Sequence, residues 1–157
     1  HSLLSIGACM VDDPSQAFYA ELVPEGSEFD PAALAVSGLS LQPLAETGEQ
    51  PGTAMERFAL WIEEQCAGRR PVLVALNAPF DWMFVADAFH RHLGHNPFGH
   101  SALDIKALAM GVVGIEWEDT SFGSLAARFG IDAELPHHAL EDARLQAELF
   151  RRILGQA

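Results

Sequence analysis

Apolar positions divide the chain into short blocks with two different rhythms. Leu3 to Val11 is apolar almost throughout, as a strand covered on both faces should be. Asp12-Asp13-Pro14-Ser15 carries turn chemistry and Gln16 to Leu22 reads as a second strand, which predicts a hairpin. Pro24 to Pro31 reads as loop, and Ala32 to Val36 as a short helical turn ended by Gly38. The stretch Leu41 to Gly52 is polar and broken by Pro and Gly, so it predicts no element. Met55, Phe58, Ala59, Ile62 and Cys66 then form one stripe of an amphipathic helix closed by Gly68. Pro71 to Leu76 is a continuous apolar run of the parallel-strand kind, and Asn77-Ala78-Pro79 breaks it. Phe80 to Leu93 is helical, Ala102 to Ile105 a candidate strand, and Leu125 to Phe129 a short helix. In the last element Leu140, Ala143, Ala147, Phe150 and Leu154 step by three or four, with Glu141, Arg144, Glu148 and Arg151 on the wet face. This order predicts an α/β fold with helices covering a mixed sheet.

With 157 residues and 49% hydrophobic content, the chain has the size and composition of one ordered domain, 1–157. No apolar run approaches the length of a membrane span. Lys and Arg total 9 against 22 Asp and Glu, a net charge of −13, with Lys106 the single lysine. Such a chain lacks the basic stripe that counterion release requires, so any nucleic-acid work has to be local, with metal ions supplying positive charge. Cys9 and Cys66 make neither a disulfide framework nor a zinc spacing and read as reduced core thiols of a cytoplasmic protein. The chain opens at His1 directly into apolar sequence, which reads as part of a longer open reading frame.

Phosphate-cradling glycine loops and a Gly-x-Ser-x-Gly elbow are absent. His90, His92, His95 and His100 cluster around Gly94 and Pro97 without a cysteine or acid among them. They read as surface histidines on a connecting loop, against a weaker zinc-binding interaction domain. Trp61, Trp82 and Trp117 are too scattered for a stacking platform and read as core or rim. Two segments carry chemistry. In Leu76-Asn77-Ala78-Pro79-Phe80-Asp81 an apolar strand ends at Asn77 and a carboxylate opens the next helix, as an N-cap or a ligand. In His137-His138-Ala139-Leu140-Glu141-Asp142 an acid lies in the first turn of the last helix, where the helix dipole favours an anion. His137, five residues back, is within reach of the same place, and the two helix starts converge on one pocket.

These segments resemble the DEDDh 3′–5′ exonucleases of the ribonuclease H-like superfamily. The resemblance runs through Leu4 to Ala8, Phe18-Tyr19, Pro31 to Gly38, Val74 to Asp81, Asp104-Ile105-Lys106 and His137-x-Ala139-x-x-Asp142-Ala143. It implies a five-stranded mixed sheet flanked by helices. It also implies phosphodiester hydrolysis by two Mg²⁺ or Mn²⁺ ions roughly 3.5–4 Å apart. By position, Asp142 would ligate the water-activating ion, Asp81 would hold the second partly through water, and His137 would be the general base. Asp104, Asn77 and Phe80 would be structural or would bind substrate, with Phe80 packing under the site. His138 receives no role. The implied partner is the 3′ end of single-stranded DNA, RNA or a short oligonucleotide, and homodimers are common in the family.

The family's first motif, an Asp-x-Glu on its opening strand, does not occur ahead of the hairpin, and Asp12, Asp13 and Glu21 sit too far along the hairpin to replace it. Its strand is central in such sheets, so the expectation is an upstream strand ahead of Ser2 that carries two further carboxylates. Without it the chain alone would be inactive. The alternative function is a non-catalytic protein of nuclease fold that binds a nucleic-acid end or a protein partner.

Overall fold

The computed structural model describes residues 2–26 and 30–155. The predicted hairpin forms: β1 (Ser5–Cys9) pairs antiparallel with β2 (Ala17–Glu21), with Ile6 opposite Ala20, Gly7 opposite Tyr19 and Ala8 opposite Phe18. The reverse turn closes through Met10 and Gln16. The loop expected over Pro24 to Pro31 lies partly outside the described residues. Next come α1 (Pro31–Ser37), capped by Asp30 and ended by a left-handed Gly38, and α2 (Leu41–Thr47).

The latter corrects the loop expected over Leu41 to Gly52. Pro43 falls in a first turn, where proline is tolerated, and Leu44 buries its side chain. Pro51 likewise opens α3 (Pro51–Cys66) instead of breaking the chain. Then follow β3 (Leu73–Ala75), α4 (Ala78–Leu93), β4 (Ala102–Asp104) and α5 (Ile105–Val113). A 3₁₀ turn, α6 (Phe122–Arg128) and α7 (Ala139–Leu154) complete the order. Helix α5 was not expected; Asp104 ends β4 and caps α5 at once, so strand and helix meet without a loop.

The fold is α/β, and all four expected strands are present. Among the described residues they form two two-stranded sheets, β1–β2 antiparallel and β3–β4 parallel, not one continuous sheet. Two apolar clusters follow this division. The hairpin, α3 and α4 share Ile6, Phe18, Met55, Phe58, Ile62 and Phe89, with Phe58 stacked on Phe18 at 4.8 Å and on Phe89 at 5.6 Å. Helices α5, α6 and α7 share Ile105, Ala109, Leu125, Leu149 and Ile153. The apolar face of α7 is turned slightly from the predicted one: Leu149 and Ile153 are buried, whereas Leu154 is 46% exposed. Trp61 packs beside Phe18 and Phe58, and Trp117 lies at the rim.

Helix α7 is seated on the hairpin backbone to backbone. A Cβ on Gly7 would stand 2.2 Å from the Ala139 carbonyl carbon and from the Leu140 nitrogen. Both atoms are main chain, so the helix would have to move. Gly7→Ala should therefore lower unfolding stability by about 2–3 kcal/mol, as overpacking does. Urea titration checks this, and an unchanged midpoint would contradict the seating.

Candidate active site

Asp81 lies in the first turn of α4, four residues after a cap that only a few residue types adopt readily. Asn77 is in the left-handed region (φ 63°, ψ 48°), which Asn tolerates better than most, and its own side chain makes no cap bond. Asn77, not Asp81, is thus the N-cap, and the Asp81 carboxylate is left over for other work. The turn is held from outside. Oδ1 of Asp104 accepts the N–H of Asn77 at 3.0 Å, of Ala78 at 3.4 Å and of Lys106 at 3.1 Å. One carboxylate therefore ties the start of α4 to the start of α5. Burial first, then the charge of Asp104, push the Asp81 carboxyl up to about 6 against the opposing pull of a hydrogen bond to its own backbone. Phe80 does not pack under the site as expected. It is 58% exposed, with its ring edge-on to Phe84 at 5.2 Å, because the first turn of α4 leaves that position facing out.

The second acid belongs to α7. Oδ1 of Asp142 accepts the backbone N–H of His137 at 3.1 Å, bending the chain back just before the helix as a displaced capping box does. Burial raises the Asp142 carboxyl, Glu141 adds to the rise, and the His137 N–H and the two histidine rings oppose it. His137 is itself left-handed (φ 59°) and its side chain is exposed. Beside it the His138 ring lies on Tyr19, centroids 4.7 Å apart and planes 24° from parallel.

The structure thus builds two groups: Asp81 with Asp104 and Asn77, and Asp142 with His137, His138 and Tyr19. Gln146 joins them. It sits one turn after Asp142 on α7, and its Oε1 accepts the N–H of Leu76 at 2.8 Å, immediately before Asn77. Tyr19 falls in a segment of the family resemblance, but its contact with His138, like that of Gln146 with Leu76, depends on tertiary position and escapes a motif reading. Asp81 and Asn77 lie just past the carboxyl end of β3, where open α/β sheets place their ligands, and Gln146 brings α7 to that end.

The donors present suit a hard divalent cation in kind, being carboxylates with burial-raised proton affinity and no Lys or Arg partner. They fall short of two ions in number. Among the described residues no three His, Cys, Asp or Glu side chains converge as a metal would need. The clustered histidines are placed otherwise. His90 and His92 belong to the last turn of α4, not to a connecting loop, because the helix runs on to a left-handed Gly94. Nε2 of His92 lies 3.2 Å from Glu25. No helix among the described residues is long and apolar enough to cross a membrane.

The fold is one already seen in a solved structure. A solved structure titled "3'-end specific recognition of histone mRNA stem-loop by 3'-exonuclease" superposes with a TM-score of 0.73 at 14% identity, over 88% of this chain and 50% of that one. The sequence sets the family: the RNase_T exonuclease model matches residues 1–150, and the chain belongs to that family of hydrolytic nucleases. It is 44% identical to the 3′–5′ DNA exonuclease Cap18 of Escherichia coli over 98% of this chain and 82% of that protein. It is 32% identical to ribonuclease T of Shewanella frigidimarina over 84% of this chain and 61% of that protein.

The Asp81 shift has a direct consequence for stability. An acid with a higher pKa folded than unfolded keeps its proton in the fold, so stability falls as pH rises from about 4 through about 6 and the penalty is complete above that. A shift of this size is worth about 2–3 kcal/mol. Metal-free Asp81→Asn should therefore be more stable than wild type at pH 7, and the gap should close at pH 4. Urea unfolding at both values checks it; a gap independent of pH would contradict the burial of the charge.

Proposed function

We propose that this chain carries the working part of a divalent-metal-dependent 3′–5′ exonuclease acting on single-stranded nucleic acid. DNA is the favoured substrate, because the likeness to a 3′–5′ DNA exonuclease extends over nearly the whole chain. The observation that carries the reading is the clamp between Asp142 and His137. It places a carboxylate and an exposed imidazole at one helix start, with neither side chain in an ion pair.

In this reading Asp81 and Asp142 are metal ligands, and two bound ions would activate water and stabilise the leaving 3′ oxygen. His137 takes the proton from the attacking water, for which an imidazole near neutral pH is suited. Asp104 acts on the backbone and holds Asp81 in place. Phe80 offers an exposed ring face to a terminal base next to the acid that follows it. Among the described residues these two acids alone do not complete a two-ion site.

A 5′-labelled single-stranded oligodeoxynucleotide tests the reading with the full-length protein in Mg²⁺ or Mn²⁺. A ladder shortening from the 3′ end and abolished by EDTA is expected, with an RNA oligonucleotide cut more slowly. His137→Ala should lower turnover by about 100-fold or more without unfolding the protein, and Asp142→Asn should abolish it. Absence of cleavage on both DNA and RNA would favour the non-catalytic alternative. Wild-type turnover in His137→Ala would remove that residue from the mechanism.

A further inference from the structure

His137 occupies a poorly restrained place for a residue whose ring has to be held. Residues 131–138 form no helix or strand, its backbone is left-handed without being glycine, and its described hydrogen bond runs through the main-chain N–H and not the ring. The next residue is restrained far better. The His138 ring stacks on Tyr19, and Tyr19 is fixed twice over. It pairs across the hairpin with Gly7, and its hydroxyl donates to Oε1 of Glu21 at 2.7 Å.

The contacts form a closed circuit. Gly7 has no side chain, so Ala139 settles on its backbone. Cross-strand partners share a face of the sheet, so the Tyr19 ring stands beside the seated helix start, where His138 covers it. The side chain of His138 makes no cap bond to α7, so the stack is its observed role. Burial, the Glu21 hydrogen bond and the Glu21 charge push the Tyr19 hydroxyl up to about 12, so it stays a neutral donor.

We propose that the Tyr19–His138 stack is a positioning device for His137, pinning the chain one residue away so that the neighbouring imidazole keeps a single orientation. This rests on the reading of His137 as general base. His138 and Tyr19 do not themselves touch the reacting atoms.

Steady-state cleavage of a 5′-labelled single-stranded oligodeoxynucleotide by the full-length protein tests it. An aromatic pair of ordinary strength biases a two-state equilibrium by up to about tenfold. His138→Ala should lower kcat about tenfold and leave KM within about twofold. His138→Phe, which restores a ring without an imidazole, should recover most of the loss. Tyr19→Ala should lose as much as His138→Ala, and the double variant no more than either alone. Melting temperatures identify any variant that fails to fold; Tyr19→Phe, which keeps the ring, then replaces Tyr19→Ala and should retain the higher kcat. The proposal is overturned by losses that multiply in the double variant, or by a folded His138→Phe as slow as His138→Ala. Full activity in His138→Ala beside an inactive His137→Ala overturns the stack alone, whereas an active His137→Ala overturns the base assignment with it.

Discussion

The contact on which the site depends is the seating of α7 on the middle of β1, backbone against backbone at Gly7. Everything on the α7 side follows from how deep that helix sits. It brings His138 level with Tyr19, sets the bend that lets Asp142 receive the His137 N–H, and carries Gln146 to the end of β3. No side-chain packing could substitute, because the space between strand and helix is smaller than a methyl group. The apolar anchors at the other end of α7, Leu149 and Ile153, keep the helix pressed into place.

Opposed to this packing is the electrostatics of two carboxylates held partly out of water. Asp81 faces the charge of Asp104, and Asp142 is raised by its own burial. Neither has a Lys or Arg partner. The nearby backbone amides relieve them little: those of Asn77 and Ala78 serve Asp104, and only that of His137 reaches one oxygen of Asp142. The fold thus maintains acids in surroundings that disfavour their charge. Such arrangements cluster at sites where a cation or a proton is to be handled.

Periodicity exposed the two-residue rhythm of the hairpin, the stripes of α3 and α7, and the two acids at helix starts. It missed α2 and α5 for one reason, that prolines and strand ends were read as breaks. Pro43 and Pro51 sit in first turns, where a missing N–H is harmless, and Asp104 ends a strand while capping a helix. The resemblance puts Phe80 under the site, but the rotation of α4 is decided by Ala88 and Phe89 further along, which leaves Phe80 facing out. The contacts of Tyr19 and Gln146 were illegible in principle. Neither contact belongs to a spacing, and each is made to a residue distant in sequence.

The acidity of the whole chain then sets the kind of nucleic-acid contact the site can make. Of the nine cationic side chains, Arg57, Arg91, Arg144 and Arg152 are committed to carboxylates. Arg151 donates to the Val11 carbonyl, and Lys106 lies on the Trp117 ring. Little is left to follow a phosphate backbone, and extended duplex binding is dominated by such contacts. Under the proposed function, attraction would be confined to a point where bound cations outweigh the surrounding carboxylates, and exposed ring faces such as that of Phe80 would supply uncharged area. A strand end satisfies that geometry better than a strand interior, because it brings one terminal phosphodiester to the cations and leaves the rest of the polymer away from a repelling surface.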